Sequence, residues 1–299
     1  MSVTENEFPV MFWGVAKKSV TFFRLAFINY LLLSILSYLP FLVIDLFSTS
    51  YAIDLIEFFH GNFLDIIIFL TLPTVYLQNR VYPVATLQLF FQRFFASAVV
   101  ISFIQFGTLA LFTLFFAQIS ISIILIGMIP YIYLLFAGFF LIMENSSKLI
   151  SVKANLLNSI NLVRSRFIMF FVHYLFITFI TSLPFVLFFM WYMVEQPEFT
   201  AFQKVFQNQP NNTELITERL LALLESFNKP GFHWSRVTIH VLFRPIKSLF
   251  LAFLFLGVLF RINPNAVKSY LGFEKTDEVT ESETAAISDD EDESSHEDR

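Results

Sequence analysis

No cysteine occurs among the 299 residues, which excludes disulfides, thiolate metal sites, a cysteine nucleophile and S-acylation. Charge is scarce too. Only 14% of residues are Asp, Glu, Lys or Arg, against 56% hydrophobic, and a soluble domain of this length needs far more polar surface. The 8 glycines form neither a Walker loop nor a dinucleotide fingerprint, and no G-x-S-x-G or H-E-x-x-H is present. Among the 5 histidines, His233 and His240 share a helical face, but no carboxylate stands near them in sequence, which is poor company for a metal. These absences point to no enzyme and no cofactor, and nothing in the chain calls for nucleic acid as a partner.

What the chain has is phenylalanine, 42 residues of it, and long apolar runs. They cover 25–47, 63–77, 95–116, 119–143, 167–194 and a last run ending at 260. About 20 apolar residues span a bilayer, so the expected fold is all-α, a polytopic membrane bundle of about six transmembrane helices with amphipathic surface helices. The first run follows a polar lead and is far longer than the apolar core of a cleavable leader, so it is expected to stay as a span.

Lys and Arg set the expected orientation. Lys17, Lys18 and Arg24, then Arg80 and Arg93, then Lys148, Lys153, Arg164 and Arg166, then Arg261, Lys268 and Lys275 fall on alternate sides of successive runs. Both termini are therefore expected in the cytoplasm. Residues 1–271 form the bundle, with an outer-side loop and amphipathic helix in about 195–236. Residues 272–299 read as a disordered acidic tail. From 274 onward the tail holds 12 of the chain's 24 acidic residues and 2 of its 19 basic ones, so the remainder is mildly basic.

Three segments outside the runs have helical periodicity. In 146–166, Leu149, Val152, Leu156, Ile160 and Val163 oppose Lys148, Lys153, Asn155, Asn158 and Ser159. This predicts a surface helix whose Lys148, Lys153, Arg164 and Arg166 hold anionic lipid. Residues 84–94 are a shorter, Phe-rich version. On the outer side, Asn211 and Glu214 have capping-box spacing ahead of Ile216, Leu220, Leu223, Leu224 and Phe227.

Polar groups inside the runs are the candidates for function, because lipid makes them costly. Asn29, Gln105 and His173 are read as interhelical contacts or a polar path. Counting about 1.5 Å per residue puts Arg244 about 4–5 Å, Lys247 about 9 Å and Asp65 about 7 Å below the outer boundary. Asp65 cannot snorkel, so an Asp65–Lys247 ion pair is expected. Pro40, Pro73, Pro130 and Pro184 lie well inside runs and each frees a carbonyl four residues earlier, with Ser37, Thr71 and Thr181 placed to help satisfy the exposed groups. Pro245 is read as lying near the start of the last span.

The order of pieces from 82 to 171 is distinctive. YPVATLQLFFQRFF precedes a hairpin of two spans; Glu144 stands at the membrane exit; NSINLVRSRF, with Ser159, Leu162 and Arg164 on an S-x-x-L-v-k/r pattern, leads into the next span. With the closing LFLGVLFRI, this resembles the YciC-type inner-membrane proteins, a bacterial group of unassigned function. The resemblance implies a bacterial cytoplasmic membrane and a six-helix bundle, and no activity. The functional expectation is a membrane scaffold or envelope-maintenance component whose partners are the lipid bilayer and other membrane proteins, with a transporter or permease component for a small solute or lipid as the alternative.

Overall fold

The structure is a computed structural model that describes residues 8–47, 50–116, 122–144, 151–210, 212–227 and 229–273. Lys148, Asn211 and the acidic tail from 274 onward lie outside the described residues. The chain is all-α, with no strand among them. In order, the helices are α1 (Phe12–Leu25), α2 (Phe27–Phe47), α3 (Ser50–Gln78), α4 (Pro83–Leu89), a π-turn (Phe90–Phe94), α5 (Phe95–Phe116), α6 (Ser122–Leu134) and α7 (Ala137–Met143). Then follow α8 (Ser151–Arg164), α9 (Phe167–Glu195), α10 (Pro197–Asn208), α11 (Thr213–Ser226), α12 (Pro230–Ile262) and α13 (Pro264–Leu271).

The axis of the molecule is α12. Residues 249–260 are buried without interruption, as expected of a helical stretch that is apolar all round. The chain around α12 includes α1, α2, α3 and α9. Gly257 admits the N-terminal segment: a Cβ there would stand 2.4 Å from the Pro9 carbonyl oxygen. Just before α1, Phe8 is buried and stacks on Phe260 at 4.8 Å, while the Lys18 ammonium lies 4.9 Å from the Phe8 ring and 5.0 Å from Tyr76. Residues 8–25 are thus clamped to the bundle.

Among the described residues, four helices are long and apolar enough to cross a bilayer, Leu55–Gln78, Pro83–Leu111, Phe167–Glu195 and Gly231–Ile262. A fifth candidate is α2 with α1, bent by 88° at Ala26. The expected fourth span contains a shorter apolar helix, Met128–Met143, broken between α6 and α7. There Ser159 Oγ donates to the Tyr133 carbonyl at 2.8 Å and accepts from the Phe136 N–H at 3.2 Å, so α8 supplies the groups the break leaves open.

That contact shifts the buried face of α8. Val152 and Val163 are buried and Leu156 packs on the core as expected, but Asn155 and Ser159, expected on the polar side, are buried too, with Leu162; satisfying broken backbone draws polar residues inward beside the apolar stripe. The segment 84–94 also differs from expectation. It is no separate surface helix, because α4 and the π-turn run directly into α5. The helix α11 is capped by Asn212, its side chain accepting from Leu215 N–H at 3.1 Å; the expected cap, Asn211, lies outside the described residues. The helix α10, which was not foreseen, packs against α11.

Prolines are handled by hydroxyls from other helices. Pro73 leaves the Phe69 carbonyl without its helical donor, and the Tyr270 hydroxyl of α13 donates to it. Burial, with Tyr30 and Tyr76 nearby, holds Tyr270 well above the usual tyrosine range, so it remains a donor. Pro245 is interior to α12, not near its start, because the helix begins at Pro230. The Val241 carbonyl it frees accepts from Ser34 Oγ at 2.8 Å.

A candidate polar site between two parallel helices

Equal spacing builds the site. Glu57 and Asp65 on α3 are eight residues apart, and so are Arg236 and Arg244 on α12. Because α3 and α12 run in the same direction, both pairs meet: Arg236 Nη2 donates to Glu57 Oε2 at 2.8 Å and Arg244 Nη2 to Asp65 Oδ2 at 2.7 Å. Between these rungs, His60 Nδ1 lies 3.1 Å from His240 Nε2, and His60 Nε2 is 3.2 Å from the Ser34 carbonyl. Eight residues of helix are about 12 Å, so the ladder reaches from the N-terminal half of α3 deep into the apolar zone.

The expected Asp65–Lys247 pair is not made. Asp65 takes Arg244 and also accepts from Ser248 Oγ at 2.5 Å. The depth estimate separated Arg244 from Lys247 by about one turn, too little to discriminate between long side chains. Gly61 leaves room for the guanidinium to lie across α3: a Cβ there would stand 2.8 Å from Arg244 Cζ and 2.9 Å from Nη2, so any larger residue would make the arginine tip shift. Lys247, buried, instead turns to Tyr174 on α9, with Nζ 3.4 Å from the hydroxyl and 4.6 Å from the ring centroid.

A second polar branch crosses to α5 and α6. Asn62 Nδ2 donates to Gln105 Oε1 at 2.9 Å, and Gln105 Nε2 donates to the Leu134 carbonyl at 2.8 Å. Tyr131 donates to Asn62 Oδ1 at 3.4 Å. Gln105 is thus an interhelical contact at the α6–α7 break. His173 also bridges elements, with Nε2 3.1 Å from the Val10 carbonyl and Nδ1 2.7 Å from that of Met169. Asn29 is half-buried and makes no hydrogen bond to the described residues. These three do not form one path: Gln105 sits with the ladder, His173 holds the N-terminal segment, and Asn29 stands apart.

Lys153 and Arg164 are exposed and Arg166 is half-buried, all at or next to α8. His233 and His240, the pair singled out by spacing, do not come together; His240 joins His60 instead. No group of three or more His, Asp or Glu able to hold a metal occurs among the described residues.

Below the ladder the core is aromatic. Phe69 stacks on Phe139 at 4.6 Å and meets Phe255 edge-on at 5.5 Å, while Phe136 lies 5.0 Å from Phe170 and 5.5 Å from Phe255. A space of about 10 Å³ lies beside Asn62, Asp65 and Gln105, room for about one water and no larger solute. On the other side of Arg244, a cleft of about 200 Å³ opens between α9 and α12, reaching Glu57 on α3.

The exterior fits lipid. On α9, Ile168, Phe176, Phe179, Leu187 and Trp191 are exposed, a continuous apolar face that water would not tolerate on a stable monomer. An all-α bundle with such a surface, and with four or five helices of spanning length, is a membrane-embedded protein. The chain matches no family model, no curated protein and no solved structure with which it was compared.

Proposed function

We propose that this is a non-catalytic, multi-pass component of a bacterial inner membrane, of the YciC type, with both termini cytoplasmic, acting as a scaffold or in envelope maintenance. The observation that carries the reading is the aromatic layer of Phe69, Phe136, Phe139, Phe170 and Phe255 beneath the polar ladder. Interlocked rings at native packing density leave no room for a solute to pass, so the polar groups above them serve as helix-to-helix joints. Contacts with lipid and with other membrane proteins, the α8 basic residues facing anionic lipid among them, are the means of action.

The second reading is transport, and the ladder itself favours it. Charged and amide groups from Glu57 to Gln105 are an expensive way to hold helices in lipid unless something uses them. Reconstitution separates the two. The scaffold reading expects proteoliposomes to release entrapped solutes and protons no faster than protein-free vesicles; a saturable flux abolished by Asp65→Asn overturns it.

A further inference from the structure

The cleft between α9 and α12 carries more positive charge than its own carboxylates balance. It is lined by Arg236, Arg244 and Lys247, with Glu57 at its rim and Thr181 and Ser182 on the α9 wall. Glu57 is engaged by Arg236 at 2.8 Å and Asp65, behind the wall, by Arg244 at 2.7 Å. Lys247 is the cation left over. It is 8% exposed, and the contacts its ammonium makes with the described residues are the hydroxyl and ring of Tyr174. Arg244 Nε is likewise buried without a partner, and Ser182 makes no hydrogen bond among the described residues, which leaves its hydroxyl free to donate. A buried ammonium whose one acceptor is the Tyr174 hydroxyl at 3.4 Å, an unpartnered guanidinium N–H and a half-buried hydroxyl line one space of about 200 Å³, and the two buried cationic groups have fewer acceptors than they can use, which burial makes costly.

We infer that the cleft binds a phosphate group, held by Lys247, Arg244 and Ser182 within the outer half of the bilayer. Phosphate suits the donor set because it offers several acceptor oxygens and the charge that the site lacks. A lipid headgroup reaches the cleft sideways, since the α9 wall continues into the exposed apolar residues Phe179 and Leu183 on which its chains can lie. A free phosphate or phosphorylated solute reaches it from the outer aqueous side. The site differs from the α8 basic residues, which the sequence places on the opposite side of the membrane.

The test uses the full-length protein in detergent, with phosphatidylglycerol, phosphatidylcholine and inorganic phosphate as separate probes, and intrinsic tryptophan fluorescence and native mass spectrometry as readouts. Lys247→Met weakens binding about tenfold, the value of one charge-assisted hydrogen bond. Lys247→Arg retains binding, and Ser182→Ala weakens it less. Should Lys247→Met fail to fold, Ser182→Ala and Lys247→Arg carry the comparison. Lys247-dependent binding of phosphatidylglycerol, with phosphatidylcholine weaker and millimolar phosphate unable to compete, identifies a lipid headgroup. Lys247-dependent binding of inorganic phosphate identifies a soluble source and equally supports the site. Folded variants that bind all three probes as the wild type does overturn the proposal. The flux assay above reports separately on scaffold against transport.

Discussion

At the residue scale the structure turns on Asp65 and what it is given. Its carboxylate accepts from Arg244 and Ser248 at 2.7 and 2.5 Å. Removing only one member of a buried pair leaves the other uncompensated, at about 3–5 kcal/mol. Arg244→Gln should therefore destabilise the protein strongly, and Asp65→Asn combined with it should recover at least about 1 kcal/mol relative to additivity. Unfolding of the purified protein in mixed micelles measures both; strict additivity would mean the pair contributes nothing. Gly61→Ala should mimic part of the Arg244 loss, because its Cβ takes the space of the guanidinium. That an acid at 65 needs a partner on the last helix was legible from depth alone. Which cation it takes was not, since Arg244 and Lys247 stand about one turn apart on α12 and both side chains are long enough to reach that depth. The eight-residue spacing shared by Glu57, Asp65 and Arg236, Arg244 was present in the sequence and is the signal that finds the ladder.

At the element scale, breaks and close approaches govern how the helices meet. Ser159 binds both sides of the α6–α7 break, so Ser159→Ala should cost about 1–3 kcal/mol, the penalty for buried backbone groups left open. Leu157→Ser, on the exposed side, should cost little. If the two variants unfold alike, α8 does not stitch the break. Gly257→Ala should dislodge residues 8–11 from α12, because the new methyl would meet the Pro9 carbonyl. Faster proteolysis near the N-terminus would report it, and unchanged cleavage would argue that the segment yields without cost. The runs that became α2, α3, α5 and α9 were readable because lipid demands long apolar stretches. The true face of α8, the fusion of 84–94 with α5 and the start of α12 at Pro230 were not. The face of α8 is set by a partner distant in sequence, the Tyr133 carbonyl that takes Ser159, whereas α12 opens on a local signal, Pro230 in its first turn, that a count of apolar residues passes over.

At the scale of the whole molecule, a polar ladder at one end of the bundle rests on an aromatic layer, all arranged about one buried helix; the proposed orientation turns the ladder to the outer side. Truncation after Phe273, which packs on the core through Tyr76, should leave thermal stability in detergent unchanged, since residues 274–299 offer almost no large apolar side chain for burial; a large loss would mean the tail docks on the basic face. The central claim is that water enters the cleft from the outer side and stops at the phenylalanines. Because the chain has no cysteine, single cysteines can be introduced without background, at Thr181, Ile239 and Phe243 along the cleft and at Leu251, Ala252 and Leu256 below it. A membrane-impermeant thiol reagent should label the first three from the outer side only and the last three from neither side. Labelling of Leu251→Cys, Ala252→Cys or Leu256→Cys in folded protein would reveal a continuous aqueous route and contradict the sealed bundle.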